Sequence, residues 1–423
     1  AALMVSSCSV KPPAEGSIVV EMDQKGAAVP ESMYGVFFEE INHAGDGGLY
    51  AELVQNRSFE EKEYPEGYFA EGDKLHAPPL KNHLTMKVSE ETYRWNTEDI
   101  PGWSLESAGA EKAGMKLTRQ NPLDPATPNS LQVIIPKGSR EVVLANGGYW
   151  GMGVRSGECY DLRFYLRTNE YKGGLIVRLM SSGGEVIANA AIDISKNPRW
   201  NEYKVPMIPG QTDAKARLTF GFSGEGTIWI DYVSLFPENT FKNRPNGLRK
   251  DVAEFLADLH PVFIRWPGGC IVEGISLINR VEWKKTLGDP MTRSGQYDTW
   301  GYRNTYGFGY HEFLQYCEDI GAKGMFLCNV GLGCQYRVGD ACKEGDVQFY
   351  INDVLDAIEY AVGDQSSQWG AKRIAAGHPE PFPLEYIEIG NENWGSLYNQ
   401  RFEAFYKAIK ANFVLPFASF VFI

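Results

Sequence analysis

The apolar positions of the chain change their period twice. Ser17 to Met22 alternate, and Met33 to Phe38 form an apolar run ending at Glu39 and Glu40, so both stretches read as strands. From Thr92 to about Pro237 the segments become short and alternating, set between Gly, Pro, Asn and Asp. They are Leu131 to Ile135, Cys159 to Leu166, Leu175 to Met180, Ala216 to Phe222 and Thr227 to Phe236. This spacing predicts an antiparallel β-sandwich, because half-buried strands alternate with period two and the breakers mark turns.

After Pro245 helical spacing takes over. Leu248, Val252, Phe255, Leu256 and Leu259 share one helical face, and the strand Val262-Phe263-Ile264 follows. Phe313, Leu314, Cys317 and Ile320 make a second stripe closed by Gly321, ahead of a strand from Met325 to Val330. Val347, Ile351, Val354 and Ile358 make a third, with Asp346 placed to cap it, ahead of a strand from Tyr386 to Gly390. A fourth helix carries Phe402, Phe405, Tyr406 and Ile409. Alternating strands and helices call for parallel units, either a doubly wound sheet or a (β/α)8 TIM barrel.

The polar residues favour the barrel. Each strand ends in a polar or Gly cluster: Glu39-Glu40, Arg265-Trp266-Pro267-Gly268-Gly269, Asn329-Val330-Gly331 and Asn391-Glu392-Asn393. Barrel active sites are built from such strand ends, and no Gly-rich phosphate loop follows any strand. The expected fold is therefore α/β, the N-terminal half of a TIM barrel with an inserted antiparallel sandwich. Its segments are 1–16 as a signal or lipoprotein leader, 17–91 with the first barrel strand, 92–240 as a carbohydrate-binding-like sandwich, 241–412 with strands two to four, and an aberrant apolar tail at 413–423.

Charge and composition narrow the chemistry. A net charge of -13 without any Lys/Arg run argues against nucleic acid as a partner. Aromatic residues make up 13%, which suits stacking on sugar rings and equally suits a large core. Trp103, Tyr149, Trp150 and Trp200 are candidates for such a platform in the sandwich. The 7 cysteines include no C-x-x-C pair, and Cys328, Cys334 and Cys342 match no metal spacing, so they read as core thiols or one disulfide. No metal or cofactor is expected. Ala1 to Ser9 look like the end of a signal peptide running into a lipobox with Cys8 as the lipidated residue, which implies export and membrane contact through that lipid alone.

The sharpest motif is Tyr386-Ile-Glu-Ile-Gly-Asn-Glu-Asn393, in which a buried strand delivers Asn391 and Glu392 to the barrel mouth. Partial desolvation beside other carboxylates should raise the Glu392 pKa and suit it to general-acid work, while Asn391 can hold a substrate hydroxyl. A structural strand-end Glu is the competing reading.

Gly390-Asn391-Glu392 resembles the acid/base motif of retaining barrel glycosidases. Residues 34–60 and Arg265-Trp-Pro-Gly-Gly-Cys-Ile-Val-Glu-Gly274 resemble the first and second strands of glycoside hydrolase family 51, the α-L-arabinofuranosidases, across about residues 17–410. The resemblance implies a bacterial enzyme removing terminal arabinofuranose from arabinan or arabinoxylan, with Glu392 as acid/base, Asn391 on the sugar hydroxyl beside the anomeric carbon, and Glu39 and Arg265 lining the pocket. It also implies a nucleophile from a second Glu on the seventh strand and allows an oligomeric full-length enzyme. Some members have His where this chain has Glu40 and Asn where it has Cys270; plant enzymes show a similar Gly-Gly-Cys. After Glu392 only Glu403 follows, on the polar side of a helix, so the chain is expected to stop after four barrel strands and to be inactive alone. The rival readings are a non-catalytic glycan-binding lipoprotein and another retaining glycosidase of the same clan.

Overall fold

The computed structural model describes residues 16, 18–108, 112–194, 198–413 and the backbone of Ser419–Val421. Cys8 and the proposed leader up to residue 15 lie outside the described residues. The protein is α/β. Its central sheet has five parallel strands in sequential order: β1 (Gly35–Phe37), β2 (Phe263–Trp266), β3 (Lys323–Cys328), β4 (Leu384–Ile389) and β5 (Ser419–Val421). The order never reverses, so the sheet lacks the switch point at which doubly wound folds bind ligands.

β5 corrects the expected strand count. Residues 419–421 pair in parallel with Tyr386–Glu388, so part of the apolar tail is a fifth strand.

The helices are α1 (Lys250–Ala257), the one-turn α2 (Cys270–Glu273), α3 (Tyr310–Ile320), α4 (Val347–Val362), α5 (Gln368–Ala375) and α6 (Ser396–Asn412). Ile264 and Trp266 of β2 point into the core shared with these helices, where Trp266 packs on Phe313 and Phe326. Each such buried large side chain contributes about 1.5–3 kcal/mol. α3 ends as its sequence predicts, with Gly321 in the left-handed region at φ 72. Two expectations differ. Asp346 makes no side-chain capping bond on α4, and Phe255 and Leu259 near α1 are 68% and 58% exposed, leaving Ala253 as that helix's buried residue.

Ile18 to Met22 form no strand and are exposed, because no neighbouring strand pairs with them. Thr92–Arg94 pairs with Lys74–His76 in a small separate sheet, whereas the nine-stranded antiparallel sheet begins at Trp103–Ala108. Within it the expected pairs of short strands are continuous, as Tyr160–Met180 and Asp213–Pro237. The turn signals at Asn169, Gly173 and Gly224 produce a bulge and a bend instead of a chain reversal. Residues on either side of the bend pair with different neighbours, 218–222 with Val142–Asn146 and 226–230 with Leu131–Ile135, around one apolar core.

Candidate active site

The site forms where β1, β2 and β4 end. Phe38 N–H donates to the Arg265 carbonyl at 2.9 Å, which fixes Glu39 two residues beyond the end of β1. Glu39 is buried and accepts from the Ile271 N–H at 2.9 Å. Burial pushes its carboxyl above the ordinary range; the Ile271 and Gly269 N–H groups, the Trp300 indole and the Arg265 charge offset this in part. Gly268 permits the approach: at φ 143, a Cβ there would lie 2.4 Å from Glu39 Cγ.

Arg265 faces the other side of β2 from Trp266. Its Nη2 donates to Glu388 Oε1 at 2.6 Å and to Asn391 Oδ1 at 3.0 Å, while its Nη1 donates to the Gly268 carbonyl at 3.0 Å. The guanidinium also lies over the Phe37 ring at 5.0 Å. Asn391 is held from both ends, since its Nδ2 donates to Glu273 Oε2 at 3.1 Å. Asn393 Nδ2 donates to the other Glu273 oxygen at 2.6 Å.

Glu392 stands differently from its neighbours. Its backbone occupies the left-handed region at φ 45, its side chain is exposed, and Cys270 Sγ donates to its Oε2 at 3.7 Å. A non-Gly residue held in that region is a feature concentrated at functional sites. Because Glu392 is exposed, the partial desolvation expected for it is absent in this arrangement. The structure thus gathers Glu39, Arg265 and Asn391 into one network, with Glu392 next in the chain to Asn391 and free to meet solvent. Glu403 is remote in role, exposed on α6 with Lys407 at 3.1 Å.

Several residues at the site escaped the sequence reading. Glu388 and Glu273 are 1% and 2% exposed, and each binds a residue already singled out. The signal for Glu388 was an acid inside an apolar strand, which demands a buried cation partner. Tyr336 and Trp394, 72% and 42% exposed, form an aromatic pair with rings 5.1 Å apart, Trp394 lying two residues after Glu392 in the chain. Of the proposed platform, Trp103 is instead core, its indole donating to the Asn56 carbonyl at 3.1 Å. Trp200 donates to the Asn121 carbonyl, and Trp150 alone of the tryptophans in that set is largely open, at 65%.

Residues 255–423 match the family model described as "Alpha-L-arabinofuranosidase 1 domain". Alpha-L-arabinofuranosidase 1 of Arabidopsis thaliana is 36% identical over 399 residues, covering 91% of this chain and 52% of its own length. The extracellular exo-alpha-L-arabinofuranosidase of Streptomyces chartreusis is 34% identical over 415 residues, covering 94% and 44%. The arabinose-bound structure of the α-L-arabinofuranosidase MgGH51 superposes with a TM-score of 0.79 at 33% identity, covering 94% of this chain and 60% of that one. The chain spans about half the length of the curated relatives it matches. Over residues 255–423 in the family model, and over about half the length of the curated relatives, the chain is similar to α-L-arabinofuranosidases, among them a solved structure of glycoside hydrolase family 51.

Proposed function

We propose that the protein containing this chain hydrolyses terminal non-reducing α-L-arabinofuranosyl residues of arabinan- or arabinoxylan-type polysaccharides with retention of configuration. The observation that carries this reading is the exposed Glu392 projecting beside Asn391, whose amide is locked between Arg265 and Glu273. In this reading the five sequential parallel strands are the first five of an eight-stranded barrel. Glu392 protonates the departing glycosidic oxygen while a second carboxylate attacks the anomeric carbon; Glu392 then takes a proton from water as that water releases the sugar. Asn391 orients the adjacent hydroxyl, and Glu39 and Arg265 bind the remaining ring hydroxyls. The chemistry needs no metal or organic cofactor.

A retaining pair stands ~5–5.5 Å apart. The buried carboxylates near Glu392 are already engaged, Glu39 with Ile271, Glu273 with Asn391 and Asn393, and Glu388 with Arg265. We assign the nucleophile to none of them, and a polypeptide of these 423 residues is expected to release no arabinose by itself. Export fits the leader-like N-terminus and the extracellular Streptomyces relative. A lipid on Cys8 is tested by whether Cys8→Ser shifts the precursor from membranes to the soluble fraction.

The decisive experiment is arabinose release from an aryl α-L-arabinofuranoside by the full-length protein. Glu392→Gln should abolish it; an unchanged rate in that variant removes the assignment.

A further inference from the structure

Beside the proposed acid/base lies a donor set of two thiols and the carboxylate that holds Asn391, to which the glycosidase reading gives no reacting role. Cys270 opens α2 and Glu273 closes the same turn, while Cys334 arrives from the loop after β3. The Cys334 N–H donates to the Gly274 carbonyl at 3.3 Å, which ties the two segments together. One ligand atom from each of Cys270, Glu273 and Cys334 lies within 4.8 Å of the others. Glu273 and Cys334 are buried and Cys270 is half-buried, so the set has both a dry base and an entrance.

We propose that Cys270, Cys334 and Glu273 bind a thiophilic divalent cation of the zinc and cadmium class, with Glu392 closing the fourth position. Bond lengths of about 2.3 Å to sulfur and 2.0–2.2 Å to a carboxylate oxygen place tetrahedral donors roughly 3.5–3.8 Å apart. The three donors, all within 4.8 Å of one another, lie near that spacing. Glu392 Oε2, 3.7 Å from Cys270 Sγ, already has it. Glu273 is pre-oriented by the amides of Asn391 and Asn393, an arrangement that fixes a ligating carboxylate. The nearby Arg337 guanidinium is engaged by Thr299. Two soft sulfurs and one carboxylate select zinc and cadmium over magnesium or calcium, which take oxygen ligands. On binding, each coordinating thiol loses its S–H bond, forms a metal–sulfur bond and gives its proton to solvent, with no change of oxidation state.

A second group, Cys159, Asp161 and Glu238, also has its donors within 4.8 Å, but both carboxylates are exposed on the sandwich. It offers one sulfur and no buried donor, so it serves as the internal control.

Occupation of the first site ties up Glu392 and thereby inhibits; this consequence rests on the acid/base reading, whereas the binding does not. The test is a cadmium titration of the full-length protein, kept reduced by a non-thiol reductant and followed by thiolate-to-cadmium charge-transfer absorption. One equivalent should produce the band, zinc should compete it away, and Cys159→Ser should retain it. Cys334→Ser should lose it, and Cys270→Ala, at a half-exposed position, provides a second variant if the first fails to fold. In the wild type, zinc should inhibit arabinose release with the midpoint at which it displaces cadmium. Absence of the band, or a band undiminished in both variants, overturns the proposal. A normal band in a protein inactive on every arabinofuranoside supports the site and defeats the glycosidase reading instead.

Discussion

Arg265 and Glu388 form a bidentate pair across β2 and β4, with the Nη2 to Oε1 contact at 2.6 Å and the Glu388 side chain 1% exposed. Because the same Nη2 holds Asn391, the pair couples the inner wall of the sheet to the residue preceding Glu392. Arg265→Met leaves the buried Glu388 without its partner and is expected to cost about 3–5 kcal/mol of stability, read by denaturant unfolding. Arg265→Lys cannot reproduce the fork and should lower kcat/KM of the full-length enzyme at least tenfold. Wild-type kinetics in the Lys variant would show that Asn391 is positioned by other contacts.

Arg293 and Glu312 form a second buried pair, at 2.8 Å between Nη2 and Oε1. Burial works against ionisation of Glu312, but the Arg293 charge and hydrogen bonds, with His311 and Asn246, outweigh it and hold the carboxyl below its ordinary value. A carboxyl depressed in the fold contributes stability above the unfolded pKa of about 4.3 and loses it as pH falls through the folded value. Unfolding free energy should therefore drop on acidification below about pH 4. Glu312→Gln should flatten that drop, and an identical acid limb in both proteins would remove this pair as its cause.

Glu40 has the opposite sign. Burial, then Asp46 and Asp298, raise its carboxyl well above the ordinary range, while it accepts from Tyr302 Oη and the Asp46 N–H, each at 3.0 Å. A carboxyl raised in the fold contributes stability that is complete below about pH 4.3 and is lost as pH rises toward the folded value. Melting temperatures at about pH 5 and 8 should fall less in Glu40→Gln than in the wild type. Equal falls would show that Glu40 is ionised in the native protein.

The sandwich tryptophans should separate by role. Trp103→Ala removes a buried ring packed on Phe59 and Phe220 and is expected to destabilise by about 3–5 kcal/mol. Trp150→Ala, at 65% exposure, should change stability by about 0.5 kcal/mol or less. If Trp150 stacks on polysaccharide, its loss weakens retention on arabinan in affinity electrophoresis without altering the melt. Unchanged retention would leave the antiparallel region as a brace for the parallel sheet.

What the sequence determined was periodicity and chemistry at strand ends. The stripe Phe313, Leu314, Cys317 and Ile320 closed by Gly321 can form only one amphipathic helix, and Asn391-Glu392 after an apolar strand can lie only at that strand's end. The tertiary structure decided the partners. Nothing in the local pattern could show that Cys334 returns to Cys270, that Glu388 meets Arg265 from 123 residues away, or that residues 160–180 run as one bent strand. Nor could it show that Glu392 projects into the open while Glu39 and Asn391 are sealed. Backbone propensity acts over a few neighbouring residues, whereas burial and pairing depend on which distant segments the packed sheet brings together.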